Sequence, residues 1–135
     1  MEKIISITEV GNYKDETEGY HRFGNCYEGF IVKTDERTIK CLISNEQNCC
    51  ETSGYLTSED DLDNYIGADL LSVQSVSGEN FDKKLLENVA RHVTIEDCMF
   101  LEFTTSKGSF QLVVYNEHNG YYSHKVIFDQ EELYL

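Results

Sequence analysis

Asn119 and Gly120 form the strongest turn signal in the chain, because they stand between two segments rich in β-forming side chains. A two-residue type I′ turn needs positive φ at both central positions, and Asn-Gly is among the pairs that adopt them most readily. The flanking segments, residues 109–116 and 121–128, are therefore predicted to pair as an antiparallel hairpin. This pattern favours a domain built on an antiparallel sheet.

Other β-branched and aromatic segments, separated by polar or glycine-containing turns, predict further strands. Period-two alternation places Ile39, Cys41 and Ile43 on one face of a strand, so Cys41 is interpreted as a small core residue. Turns at residues 34–37 and 106–108 predict two more hairpins. The predicted strands are residues 4–10, 27–33, 38–44, a short strand through Leu56, 69–76, 98–105, 109–116 and 121–128.

Two segments are predicted to be helical. Ser58 is placed to cap a helix whose apolar side chains are Leu62, Tyr65 and Ile66 and which ends at Gly67. The second helix, over residues 80–92, follows from apolar side chains at helical spacing.

These elements predict one α+β domain over residues 1–135. It is expected to be a mostly antiparallel β-sheet of about six to seven strands, with two short helices covering one face. Residues 11–25 and 80–92 are interpreted as insertions. Residues 129–132 are interpreted as an acidic tail or a short helical cap.

The charge balance narrows the classes of partner. The chain has 25 acidic and 11 basic residues, a formal net charge of −14. Direct nucleic-acid binding is disfavoured, because it needs Lys and Arg to displace counterions from phosphates, and an anionic membrane is disfavoured for the same reason. The electric field of this negative charge favours basic protein partners, although a high negative charge can also simply keep a protein soluble.

The cellular setting follows from what the sequence lacks. It shows no signal-peptide pattern and no run of about 20 apolar residues, so we expect a soluble, cytoplasmic protein. The five cysteines have no C-x-x-C spacing and are expected to be reduced. No cofactor or metal is predicted.

One candidate ligand site combines the adjacent thiols of the Cys49-Cys50-Glu51 segment with the second strand of the predicted hairpin. Its aromatic and polar side chains suit stacking on a base and holding a phosphate, as in a signalling nucleotide. A buried structural network is the alternative, and a Cys/His enzyme lacks a nucleophile elbow or oxyanion loop. The candidate ligand-binding residues are Tyr121, Tyr122, Ser123, His124, Cys49, Cys50 and Glu51.

A candidate partner-binding surface is formed by the acidic clusters, with tyrosines as hydrophobic anchors. The middle cluster also has a local explanation, since carboxylates favour the first turn of a helix. The candidate residues are Asp15, Glu16, Glu18, Tyr13, Tyr20, Glu59, Asp60, Asp61 and Asp63. A third cluster lies at residues 129–132. Self-association through an exposed sheet edge is the further expectation.

Several compound motifs resemble a small family of uncharacterised phage and prophage proteins. They are Cys49-Cys50-Glu51, the Asp60-Asp61-Leu62-Asp63 stretch with Ile66-Gly67, the turn at residues 105–108 and the segment 119–123. The resemblance covers about half of the chain. It implies a phage origin and an intracellular role during infection or lysogeny, without an established activity.

These observations predict a non-enzymatic phage protein that inhibits a host defence protein, such as a CRISPR nuclease, through its acidic surface. Sequestration of a signalling nucleotide is the alternative, and a Cys/His enzyme is a distant third.

Overall fold

Antiparallel strands account for most of the residues that the structure describes. The computed structural model describes residues 2–14, 26–44, 52–58, 61–75, 98–117, 125–129 and 131–134 of the 135-residue chain. The described strands are β1 (Glu2–Lys14), β2 (Cys26–Thr34), β3 (Thr38–Ser44), β4 (Thr52–Thr57), β5 (Asp69–Ser75), β6 (Cys98–Thr105), β7 (Gly108–Glu117), β8 (Lys125–Asp129) and β9 (Glu131–Tyr134). A 3₁₀ helix spans Leu62–Tyr65.

The strands form one sheet in the order β4-β7-β6-β5-β1-β2-β3-β8-β9. Strand β1 joins its two halves. Its first residues pair with β5, at Glu2 with Leu70 and Lys3 with Asp69, and its remaining length pairs with β2. The sheet folds over at β1, so that β3 contacts β7 and β2 contacts β4. The core therefore lies between two halves of a single sheet.

Alternating side chains from both halves fill this core. Phe103 and Phe110 are cross-strand neighbours whose rings stack with centroids 4.8 Å apart. Ile39, Cys41 and Ile43 lie together in the same core, which confirms the predicted inward face of β3. Burial raises the pKa of the Cys41 thiol well above its usual range, so this cysteine is an inert core residue.

A second apolar cluster lies on the opposite face of the half formed by β1, β2, β3 and β8. Tyr27, Ile31, Leu42 and Ile127 are buried there, and Val10 and Tyr13 of β1 pack against them. The strands of this half are thus apolar on both faces. Such strands have near-continuous apolar sequences rather than clean alternation.

The predicted α+β class is wrong, because the described residues are nearly all β and contain only a single 3₁₀ turn. Within the segment predicted to be a helix from Ser58 to Gly67, the described residues contain a four-residue 3₁₀ helix, Leu62–Tyr65, capped by Asp61. The chain then turns at once into β5, as the Ala68 amide donates to the Tyr65 carbonyl at 3.1 Å. The predicted helix at residues 80–92 lies outside the described residues.

The predicted pairing of residues 109–116 with residues 121–128 is also wrong. Strand β7 pairs with β4 and β6, whereas β8 pairs with β3 and β9. The reason is that both hydrogen-bonding edges of β7 are occupied: β6 pairs along one edge from Gly108 to Tyr115, and β4 pairs along the other from Leu112 to Glu117. Since a strand has only two such edges, none is left for β8. Asn119 and Gly120 lie outside the described residues.

Two further boundaries differ from the prediction. Strand β1 continues to Lys14, so the start of the predicted insertion at residues 11–25 is strand. The predicted acidic tail contains β9, which pairs antiparallel with β8 after a tight reversal at Asp129, where φ is 60°. In the part of the chain that is described, no helix has the length and apolar character to cross a membrane.

Candidate functional site

The cleft of interest opens where β1 leaves β5. Beyond Lys3, β1 has β2 as its one strand partner among the described residues. There Glu9 of β1 accepts a hydrogen bond from Tyr55 of β4, and β1 also contacts the 3₁₀ helix. The resulting cleft has a volume of about 230 Å³. It is lined by Ile7, Glu9, Phe30, Thr57, Asp61, Leu62 and Asp63.

The 3₁₀ helix places two carboxylates on this cleft. Asp61 is its N-cap, and its Oδ1 accepts a hydrogen bond from the Asp63 amide at 3.1 Å. Tyr65 anchors the helix, because its ring contacts Phe110 with centroids 4.8 Å apart and its hydroxyl donates to the Ser109 carbonyl at 3.3 Å. With Tyr65 buried, Asp61 and Asp63 remain exposed beside the half-buried Leu62.

Gly67 ends this segment in a backbone conformation that favours glycine. Its φ is +87°, and its amide donates to the Ile4 carbonyl at 2.8 Å. The Ile4 amide in turn donates to the Ala68 carbonyl at 2.9 Å. These bonds fix the acidic segment against β1.

The third carboxylate of the cleft, Glu9, is held by a tyrosine on the facing strand. The Tyr55 hydroxyl of β4 donates to Glu9 Oε1 at 2.7 Å. Tyr55 also meets Phe30 edge to face, with ring centroids 5.3 Å apart. The hydrogen bond to Glu9, burial and the nearby charges of Glu9 and Glu28 raise the pKa of Tyr55 to about 12. Tyr55 is therefore a neutral donor that orients Glu9 at physiological pH.

The charged side chains in the described lining of the cleft are all acidic. Glu9, Asp61 and Asp63 are exposed carboxylates, and no lysine or arginine is among the described residues that line the cleft. The described residues include no group of three or more side chains suited to holding a metal ion. The arrangement is suited to accepting hydrogen bonds from a cation that a partner supplies.

Two of the predicted partner-binding residues meet in this cleft, and one does not. Asp61 and Asp63 line it. Tyr13 packs on the opposite face of the sheet against the cluster of Tyr27, where Lys40 Nζ lies 5.8 Å from the Tyr13 ring centroid. The other predicted residues lie outside the described residues: Asp15, Glu16, Glu18, Tyr20, Glu59, Asp60, and the ligand set of Cys49, Cys50, Glu51, Tyr121, Tyr122, Ser123 and His124.

Sequence reasoning missed Glu9 and Tyr55. Each lies in a predicted strand, and nothing local marks either as a site residue. The available signal was the alternation in β1, which puts a carboxylate at position 9 on the same face as the core residue Ile7. A charge on a core-facing position suggests a partner or a cleft.

Comparison with protein families places the chain in a known sequence family. The model of a domain of unknown function, DUF7448, matches residues 2–128. The chain belongs to this family. The matched range includes all the residues that line the cleft. Comparisons with curated proteins and with solved structures find no match.

Proposed function

We propose that this DUF7448 protein is a non-enzymatic binding protein that engages a basic surface on a partner protein through the cleft. The observation that carries the proposal is the lining of three carboxylates around Phe30 and Leu62, with no cation in the part of the lining that the structure describes. Carboxylates arranged in this way complement lysine and arginine side chains.

The charges and the apolar lining have different roles in this proposal. Exposed ion pairs contribute only about 0–1 kcal/mol each, so the carboxylates chiefly guide and accelerate association. The net charge of −14 extends this attraction beyond the cleft. Burial of Ile7 and Leu62 against the partner supplies the non-electrostatic part of the affinity.

The proposed partner is a host defence protein, and the proposed origin of the chain is a phage or prophage. The resemblance of the motifs at residues 49–51, 60–63 and 119–123 to phage and prophage proteins supports this origin. Defence nucleases such as CRISPR nucleases bind nucleic acid through lysine and arginine, which gives them the basic surface that the proposal requires. Inhibition would follow from occupation of that surface.

The test is affinity capture from nuclease-treated bacterial lysate with three tagged forms of the full chain. The first is the wild type, and the second carries Glu9→Gln, Asp61→Asn and Asp63→Asn. These changes are nearly isosteric, and each keeps a side-chain oxygen as a hydrogen-bond acceptor. The third is a control with Asp35→Asn, Glu36→Gln and Glu102→Gln, which changes the net charge equally at positions outside the cleft.

We expect the wild type and the control to retain the same host protein and the cleft variant to lose it. The purified partner should associate more slowly as salt is raised, because the Debye length falls from about 10 Å at 0.1 M to about 3 Å at 1 M. A partner that binds the cleft variant and the wild type with the same rate and affinity would refute the proposed site. Retention of no protein by any form would refute the proposed function.

A further inference from the structure

We infer that the cleft receives a single arginine side chain of the partner, in preference to lysine. This inference rests on the proposed function and names the group that the cleft recognises. It follows from the size of the cleft, its apolar lining and the positions of its free acceptor atoms.

The volume favours one side chain over a small-molecule ligand. At about 230 Å³ the cleft is smaller than typical small-ligand pockets, which have volumes of about 300–1,000 Å³. Ile7 and Leu62 are half-buried in its wall, and Phe30, also in the lining, is buried and contacts the Tyr55 ring. A long aliphatic stem can cover these apolar groups while its charged end stays at the exposed rim.

The acceptor atoms favour a guanidinium. Tyr55 occupies one oxygen of Glu9, and the Asp63 amide occupies one oxygen of Asp61. The second oxygen of each carboxylate, and both oxygens of Asp63, accept no hydrogen bond from the described residues. These acceptors belong to two elements, β1 and the segment of the 3₁₀ helix. Five donors in a planar fork can serve several separated acceptors at once, whereas a compact, strongly hydrated ammonium serves fewer.

The experiment titrates the ¹⁵N-labelled full chain with three capped heptapeptides. Each has serine and glycine at every position except the centre, which is arginine, lysine or citrulline. We expect the arginine peptide to shift the amide signals of Ile7, Thr57 and Leu62. Its affinity should be about three- to tenfold higher than that of the lysine peptide, because an exposed arginine that makes several hydrogen bonds gains only a modest free energy over a lysine. Citrulline keeps the shape but lacks the charge, and it should produce no saturable shift.

Variants separate the cleft from the general charge of the protein. The double variant Glu9→Gln, Asp63→Asn should weaken binding of the arginine peptide by about five- to twentyfold, because it removes two exposed ion pairs with the guanidinium. The control Asp35→Asn, Glu36→Gln has the same net charge and should bind as the wild type does. Equal binding of the arginine and lysine peptides would overturn the preference for arginine, as would equal losses in the double variant and its control.

These outcomes are distinguishable from failure of the proposed function. The capture experiment asks whether a basic partner needs the cleft and does not depend on which cation enters it. Suppose that the triple variant loses the partner while the wild type binds the arginine and lysine peptides with equal affinity. That result would support the proposed function and overturn the inference about arginine.

Discussion

At Gly29 the backbone of β2 leaves no room for a side chain. Its φ is +143°, a conformation that side-chain-bearing residues rarely adopt. A Cβ at this position would overlap the carbonyl oxygen of Cys41 and would lie 3.2 Å from the Cα of Leu42. Since the obstructing atoms belong to the β3 backbone, they cannot move aside without breaking the pairing of β2 with β3.

We therefore expect Gly29→Ala to lower the free energy of unfolding by more than about 2 kcal/mol or to prevent folding. Urea unfolding followed by circular dichroism measures the loss. Gly11→Ala is the matched control, because among the described residues, its two chain neighbours aside, none comes within 4 Å of the added Cβ, and its effect should be within about 0.5 kcal/mol. Equal stabilities of the two variants would contradict the close approach of β2 and β3.

Glu2 and Arg37 join the start of β1 to the turn between β2 and β3. Arg37 Nε donates to Glu2 Oε2 at 2.8 Å and Arg37 Nη2 to Oε1 at 3.3 Å, while the Thr34 hydroxyl donates to Oε2 at 2.6 Å. Burial alone would raise the pKa of Glu2, but the hydrogen bonds from Arg37 and Thr34 outweigh it and lower the pKa below its ordinary value of 4.5.

The lowered pKa of Glu2 makes the free energy of unfolding depend on pH. The lowered pKa means that the folded protein binds this proton less readily than the unfolded chain, so protonation favours unfolding. The contribution of Glu2 is complete above pH 4.5 and is lost as the pH falls through the lowered folded-state pKa.

Glu2→Gln should lower the free energy of unfolding by about 0.5–1 kcal/mol at pH 7, the upper range for a surface pair. Urea unfolding at pH 7, 4 and 3 should show the difference from wild type shrinking below pH 4.5. Glu36→Gln, a change of an exposed acid in the same turn, should have a smaller effect. A difference that stays constant from pH 7 to 3 would rule out the pair as its source.

At the scale of elements, the 3₁₀ helix decides the shape of the cleft. Its length is one turn, because Asp61 caps it at one end and the hydrogen bond from the Ala68 amide to the Tyr65 carbonyl redirects the chain at the other. Both Asp61 and Leu62 lie on the cleft. The cap therefore has a structural role as well as a charge that a partner can use.

Substitutions at Asp61 separate these two roles. Asp61→Ala should lower the free energy of unfolding by about 0.5–2 kcal/mol, whereas Asp61→Asn keeps the capping oxygen and should be nearly neutral for stability. Both remove the charge, so both should weaken binding of the arginine peptide. Thermal unfolding and the peptide titration measure the two effects. If Asp61→Asn destabilised the protein as much as Asp61→Ala, the carboxylate charge rather than the cap would hold the helix.

At the scale of the whole molecule, three of the eight pairings between the described strands join strands that are not consecutive in sequence. Thr57 of β4 faces Leu112 of β7, Lys3 of β1 faces Asp69 of β5, and Cys41 of β3 faces Phe128 of β8. Sheets held by such non-local contacts fold slowly, since the entropy of closing long loops is lost before the contacts form.

We expect refolding from urea in milliseconds to seconds. The chain contains no proline, so the phase of about 10–100 s caused by prolyl isomerisation should be missing. Stopped-flow double-jump experiments provide the check, because the refolding rate should be the same after brief and prolonged unfolding. Refolding that slows after prolonged unfolding, or that finishes in microseconds, would contradict this prediction.

The strands could be predicted from the sequence because their signals are local. Residues 38–44 match β3 because alternation and β-branched side chains specify a strand without reference to the rest of the chain. The hairpin predicted through the turn at residues 106–108 joins β6 to β7, with Gly108, at φ +126°, already the first residue of β7. Asp61 and Asp63 could likewise be identified as an exposed acidic pair from their local sequence.

What the tertiary structure decided is which strands are neighbours and where the exposed charges meet. The turn signal at Asn119 and Gly120 predicted a hairpin, yet β4 and β6 occupy the two hydrogen-bonding edges of β7 and leave none for β8. The 3₁₀ helix ends after one turn because the chain that follows it, Gly67 and Ala68, hydrogen-bonds to Ile4 of β1, which is distant in sequence. Glu9 joins the acidic cleft because β1 leaves β5 after Lys3, and only long-range packing determines that separation.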